Sequence, residues 1–323
     1  MEFQVKGGTH GIVVTGTTGE PSVLTTDERI ELVKVAVAAA KKRIEVVAAT
    51  GAQNHADTVK MSEAAEKAGA DALLIVTPYF IRPPQRGLEA YYLDLCKRTD
   101  LPVMIYHIPG RAAVTMTADT DRAHRRRRAQ SCRHQARGRT DLKLGQRASS
   151  SSSGAEFRIH VGLEDLSFPM VCLGAHGLMN AVGNLLPGKV AEALCGDRGR
   201  RSRARPRAAL RTLRSSTTPI FFDINPIPMK YMMKRLGIIP NELHRLPMVP
   251  STPELRTKLD GVLSRAGLDL TDPLMTNRAL ADIDLCSSST ISSIANHILY
   301  RLGVVDGFGH VSAPALRAIR STS

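Results

Sequence analysis

Short continuous apolar runs alternate along this chain with segments whose apolar positions recur at helical spacing. His10-Gly11-Ile12-Val13-Val14-Thr15 is the first such run, and a glycine-bounded stretch of this kind predicts a strand buried on both faces. Thr25-Thr26-Asp27-Glu28 carries the Thr-x-x-Glu of a capping box and opens a predicted helix with Ile30, Val33 and Val37 on one face up to Lys42. Ile44 to Ala49 predicts a strand, His55 to Ala68 a helix closed by Gly69, and Asp71 to Thr77 a strand. Gly87 to Arg98 predicts a helix and Pro102 to Tyr106 a strand. Strands separated by single helices imply βαβ units and a parallel sheet.

The alternation then breaks. From Arg122 the text becomes Arg125-Arg126-Arg127-Arg128, an Arg/Gln/Ser/Gly mixture and a serine tract from Ser149 to Ser153. It resumes as a strand at Phe157 to Gly162, a helix near Asp165 to Leu173 and a strand at His176 to Val182. A helix begun at Pro187 runs into a second arginine-rich stretch, after which Met229 to Leu236 and Pro253 to Ala266 read as helices. Three regions follow: a barrel over 1–218, disrupted at 122–156 and 195–218; a C-terminal helical extension over 219–270; and an appended tail over 271–323.

Composition sharpens this picture. A chain of 323 residues can hold one α/β barrel of about 250 residues with an appendage, and with no Trp and 4% aromatics its core must be aliphatic. Five scattered cysteines (Cys96, Cys132, Cys172, Cys195, Cys286) lack metal spacing and fit reduced thiols, hence a cytoplasmic protein. No apolar run approaches the length that spans a bilayer, and Met1 to Gly8 has no signal-peptide pattern. The net charge of +14 lies wholly in two places: Arg122 to Asp141 and Cys195 to Thr218 each hold eight arginines and one aspartate. Neither carries aromatics for base stacking, so a non-catalytic basic protein that binds nucleic acid or another polyanion is the alternative function rather than the leading one.

The candidate chemistry starts at Gly16-Thr17-Thr18-Gly19-Glu20, directly after the first strand. Two adjacent hydroxyls, with glycines that let backbone N–H groups turn toward one point, can hold a small carboxylate at the strand end where α/β barrels gather their sites.

"GTTGE", "VTPYF", "YHIPGR", "HGLMNAVGN" and "NPIPMKYMMKRLG", in this order, resemble the dihydrodipicolinate synthase / N-acetylneuraminate lyase family of pyruvate-dependent class I lyases. The resemblance covers most of His10 to Leu268 apart from the two arginine-rich stretches. It implies an α/β fold, a (β/α)8 TIM barrel with C-terminal helices, and a homotetramer that needs no cofactor or metal. It also implies an aldolase-type condensation, in lysine biosynthesis, of pyruvate with an aldehyde such as aspartate semialdehyde through a lysine Schiff base. Carried over by motif, Thr17 and Thr18 correspond to the pair that binds pyruvate's carboxylate and relays protons. Tyr106 corresponds to the proton-shuttling tyrosine, and Arg111 to the arginine that holds the second substrate's carboxylate.

Three features depart from the family. Phe80 stands where a second tyrosine hydroxyl is usual, and Met1 to Thr9 is too short for the usual first strand and helix. The Schiff-base lysine is expected about two dozen residues after Arg111, which falls near His134; no lysine lies there, and Lys143 is the only one between Lys97 and Lys189. The sequence therefore predicts an incomplete ring, with the first strand and the Schiff-base strand missing or overwritten, and a catalytically impaired pseudoenzyme. Compensating frameshifts in a GC-rich gene are the expected origin of the two arginine-rich stretches. The tail from Ser292 to Ser312 resembles the start of the class II aldolase/adducin family without its later metal-binding histidines, so His297 and His310 are expected to be surface residues.

Overall fold

The computed structural model describes residues 1–117, 137–139, 158–164, 166–167, 170, 175–195, 219, 222–266, 268 and 289–293. A short helix α1 (Glu2–Lys6) leads into β1 (Gly11–Val14), α2 (Thr26–Ala40), β2 (Glu45–Ala49), α3 (His55–Lys67), β3 (Ala72–Val76), α4 (Gln85–Lys97) and β4 (Val103–Tyr106). From β1 to β4 the elements lie within one or two residues of the ranges that periodicity predicts. Two side chains fix the helix starts. Thr25 Oγ1 accepts from Glu28 N while Glu28 Oε2 accepts from Thr25 N, which is the predicted capping box, and Asn54 Oδ1 accepts from Ala56 N at the head of α3.

Alternation along the strands sets two layers. Val13, Val47, Ala49, Ala72, Leu74, Met104 and Tyr106 meet inside the ring, while Ile12, Val14, Val46, Leu73, Ile75 and Ile105 pack outward against the helices.

After a single helical turn α5 (Pro109–Ala112) come β5 (Arg137–Arg139), β6 (Arg158–Val161), β7 (Gly177–Leu178), α6 (Pro187–Cys195), α7 (Ile227–Arg235), α8 (Pro253–Arg265) and β8 (Ser289–Ser293). All eight strands pair in parallel and in sequence order, and β8 returns to β1, so the (β/α)8 ring closes. Ile159, Val161, Leu178 and Val182 pack with Met229, Met232, Leu255 and Leu259 of α7 and α8 in a second outer core.

The expectation that the first strand and the Schiff-base strand of the family are missing or overwritten holds, and the ring closes through segments that stand in for them. Neither missing strand comes from a family-like region, yet both places are occupied: Met104 to Tyr106 pair with Arg137 to Arg139, and Gly11 to Val13 pair with Ile291 to Ser293. Strand pairing uses backbone N–H and C=O, which every non-proline residue carries, so apolar side chains are not required to close a ladder.

Two further differences have local causes. The strand expected over His176 to Val182 stops at Leu178, because Glu164 Oε1 takes the Ala181 N–H (2.6 Å) and the Val182 N–H (3.2 Å) and bends the chain into a 3₁₀ turn at Ala181–Asn184. Met1 to Thr9 holds the helix α1, whose buried Gln4 donates from Nε2 to Gly183 O at 2.9 Å. No helix among the described residues is long and apolar enough to cross a membrane. His134, Lys143, His297 and His310 lie outside the described residues, as do most positions of both arginine-rich stretches.

Candidate active site

Beyond β1 the chain turns sharply. Thr15 takes a left-handed conformation (φ 56°) with its hydroxyl 2.8 Å from Ala49 O at the end of β2, and Thr17–Gly19 form one 3₁₀ turn. Gly19 N–H donates to Gly16 O (2.8 Å) and Glu20 N–H to Thr17 O (3.2 Å). These two amides close the turn itself, so the threonine hydroxyls, rather than the amides of Gly19 and Glu20, are the groups it offers to a ligand.

Thr17 Oγ1 lies 2.7 Å from the phenol oxygen of Tyr106, which stands at the end of β4 on the inner face of the ring. That distance is a short hydroxyl–hydroxyl hydrogen bond, along which a proton can move in either direction. Thr18 Oγ1 accepts from Asn225 Nδ2 at 3.0 Å, and the backbone carbonyl of the same Asn225 faces Arg111 Nη2 at 3.4 Å. Asn225 thus ties the turn after β1 to the loop after β4. Arg111 is otherwise exposed at the rim, with its guanidinium free to turn toward an incoming anion.

Thr17, Thr18, Tyr106, Arg111, Asn180 and Asn225 all line one cleft of about 90 Å³ at the carboxyl ends of the strands. A second hollow of about 150 Å³ continues behind Tyr106 and Arg111 toward Tyr79 and Arg29. Arg29 is buried there and donates from Nη2 to Ala49 O at 2.7 Å, and burial draws its pKa below the ordinary arginine value. All four residues assigned by motif are brought together. Phe80 is 82% exposed and lines neither space.

The motifs contain Glu20, Asn180, Asn225 and Lys230 without assigning them roles, and nothing in the sequence pointed to Glu164 or His244. Glu20 sits in the left-handed region (φ 51°) at the end of the Thr17–Gly19 turn, and its buried carboxylate receives Lys230 Nζ at 2.8 Å and His244 Nδ1 at 2.7 Å. Lys230 also donates to Leu243 O. Burial works to raise the Glu20 pKa, but His244 and Lys230 together outweigh it and hold the carboxyl below its usual range. For Lys230 burial is the largest influence and brings the ammonium below the usual lysine value, against the pull of Glu20. The cluster anchors the threonine-bearing turn onto α7 from behind; Lys230 does not line the cleft. Among the described residues, no group of three or more His, Cys, Asp and Glu side chains is placed to hold a metal ion.

Polar groups drawn from separate strand ends over one small hollow are how α/β barrels make their sites, and that is the class of protein this fold and cleft define. Within that class the chain belongs to the dihydrodipicolinate synthetase family, which matches it over residues 1–266. It is 33% identical over 273 residues to the 4-hydroxy-tetrahydrodipicolinate synthase of Thermotoga neapolitana, covering 83% of this chain and 91% of that one. Its fold is similar to the crystal structure of dihydrodipicolinate synthase from Aquifex aeolicus, with a TM-score of 0.76, 32% identity and coverage of 84% and 91% of the two chains. A chloride-inhibited dihydrodipicolinate synthase from Acinetobacter baumannii, solved as a complex with pyruvate, gives a TM-score of 0.76 at 29% identity, covering 83% and 90%.

Proposed function

We propose that this chain is a lyase of the dihydrodipicolinate synthase type that keeps the carboxylate-binding and proton-relay half of its site and lacks the amine. In this reading Thr17 and Thr18 hold the carboxylate of pyruvate, Tyr106 moves protons through Thr17, and Arg111 meets the carboxylate of an aldehyde such as aspartate semialdehyde. The contact of 2.7 Å between Thr17 Oγ1 and the Tyr106 hydroxyl inside the cleft carries the proposal, because a proton relay requires that pair to touch.

Schiff-base formation needs a neutral primary amine within reach of the ketone carbonyl. No lysine is among the described residues that line the cleft, and β5, which fills the ring position after β4, reads Arg137-Gly138-Arg139. An arginine cannot replace lysine there, since its guanidinium stays protonated at any working pH. Pyruvate therefore binds without covalent capture, and condensation does not follow.

Incubation with pyruvate, reduction with borohydride and intact-mass measurement test this directly. No stoichiometric mass gain is expected, while ligand-observed NMR should still detect pyruvate binding that Thr17→Val weakens. A stoichiometric adduct mapped to Lys143 would overturn the missing-amine reading, and absence of pyruvate binding would overturn the retained half-site. Frameshift is tested by translating the coding DNA of 122–156 in the other two frames: a buried-strand pattern with a lysine near position 134 is expected.

Assembly with further copies is part of the same proposal. Phe80 and Ile81 are 82% and 57% exposed at the loop after β3, an apolar tip suited to burial against another subunit. Light scattering should give a mass above that of one 35.0 kDa chain, and Phe80→Asp should lower it.

A further inference from the structure

Three consecutive residues of the loop after α7 grip the segment that follows the threonine turn. Leu243 O accepts from Lys230 Nζ, the His244 ring meets Glu20 Oε1 at 2.7 Å, and Arg245 donates to Val23 O at 3.2 Å and to both carboxylate oxygens of Glu28 at 2.9 Å. The His244 side chain is fully buried, although Leu246, two residues on, is 81% exposed. A ring turned inward from an exposed loop gives up its contacts with water for those it makes inside. Its Nε2 has no partner among the described residues, so Glu20 is what its polar edge is there to meet. The Glu20 carboxyl, held below its usual range against the opposing effect of burial, is ionised at neutral pH and can only accept; Nδ1 of His244 is therefore the donor.

Glu20 needs holding. It stands in the left-handed region (φ 51°), which disfavours any residue that carries a Cβ. Its N–H nevertheless donates to Thr17 O at 3.2 Å, and that bond closes the turn whose first two residues present the hydroxyls. A backbone conformation of this kind persists where the surroundings over-determine it. Lys230 takes one carboxylate oxygen and His244 the other, and two donors on two oxygens fix the plane of the carboxylate, which a single contact leaves free to swivel. We infer that His244 is a positioning residue for ligand binding: through Glu20 it keeps the Thr17–Gly19 turn in the shape that brings the Thr17 and Thr18 hydroxyls into the cleft. His244 does not itself line that cleft, so its effect runs through Glu20. The inference rests on the proposed function in one respect, that these two hydroxyls hold the carboxylate of pyruvate.

The test is the dissociation constant of pyruvate, titrated by ligand-observed NMR on the full-length protein and its variants. His244→Leu, similar in size but without a donor, should weaken pyruvate by about tenfold, the effect of one charge-assisted hydrogen bond. His244→Asn places an amide N–H where Nδ1 stood and should bring the affinity back to within about threefold of the unaltered protein. Leu259→Ala opens a void at a fully buried position of α8 away from the cleft, and should leave the affinity within about twofold while lowering stability. A dissociation constant read from ligand concentration does not depend on how much protein is folded, so the three variants separate positioning from general loss of structure. Glu20→Gln reads the same clamp from its other side, with one acceptor oxygen left for two donors, and should weaken pyruvate by about fivefold. Unchanged affinity in His244→Leu or in Glu20→Gln, no recovery in His244→Asn, or an equal loss in Leu259→Ala would each overturn the inference. Failure of the unaltered protein to bind pyruvate removes the proposed function and this inference with it, whereas binding that is indifferent to His244 removes only the positioning role.

Discussion

The two halves of the ring reach the same architecture by different means. From β1 to β4 each strand is four or five residues of mostly Ile, Val, Leu, Met and Ala, and α2, α3 and α4 follow with apolar faces, the first two with capped starts. Pattern, propensity and packing agree there, and such agreement is what lets a segment specify its own structure. From β5 to β8 the strands include three residues of Arg-Gly-Arg, two of Gly-Leu, and the serine-rich Ser289–Ser293. Among the described residues, Ile159 and Val161 of β6 and Leu178 of β7 are covered by Val190 of α6 and by α7 and α8. A barrel therefore tolerates poor strand sequences where neighbours on both sides present unpaired backbone, because closure removes edges that would otherwise face solvent.

The halves are also clamped to each other. Glu20 belongs to the first and Lys230 and His244 to the second, and Arg245 grips Glu28 of α2 through two contacts of 2.9 Å. Breaking this clamp is the severest challenge to the comparison. Lys230→Met should lower the free energy of unfolding in urea by about 3–5 kcal/mol, because it leaves the Glu20 carboxylate buried without its ammonium. The double variant Glu20→Gln/Lys230→Met should recover most of that loss, and a single-variant cost under about 1 kcal/mol would show that the halves hold together without the pair. Since the folded Glu20 carboxyl is held below its ordinary value near 4.5, its contribution is fully present above that pH and disappears as pH falls through the lowered folded value. Glu20→Gln should accordingly flatten the acid limb of a stability profile below pH 4.5.

Core truncation probes each half separately. Leu73→Ala in β3, at a fully buried outward position, should cost about 3 kcal/mol, and Leu178→Ala in the two-residue β7 about 2 kcal/mol, since shorter elements relax more readily around a void. Equal losses in urea titrations would erase the distinction between the halves. Gly51, just past β2, lies so close to β3 that an added Cβ would stand 2.5 Å from Val76 N. Gly51→Ala should therefore cost about 1–3 kcal/mol through backbone displacement. The smallest effect is expected at the caps: Thr25→Ala in α2 and Thr252→Ala in α8 should each lose about 1 kcal/mol, because each removes one acceptor from a helix N-terminus. Thermal melts that place the two caps far apart would show that one helix matters more to its half.

Much of the site was legible because it travels with local signals. Thr17, Thr18, Tyr106 and Arg111 lie at or just past the ends of apolar strands, and a strand end in a parallel barrel has one destination. Glu164 and Asn180 also stand just past strands, β6 and β7, but nothing local marks what they do there. A glutamate that ends a neighbouring strand by taking two backbone amides, and an asparagine whose orientation follows from Ser167, acquire meaning only once residues far apart in sequence are adjacent.

By itself the sequence determined the βαβ grammar of residues 10–106, the capping box at Thr25 and the four motif residues, because hydrophobic period, capping and strand-end position are local properties. Only the tertiary structure decided that the ring closes, which segments stand fifth and eighth, and that Glu20, Lys230 and His244 meet. Backbone pairing places no demand on side-chain pattern, so Arg137–Arg139 and Ser289–Ser293 could not announce themselves as strands. A buried ion pair depends on the distance between elements 210 residues apart, which no local pattern encodes.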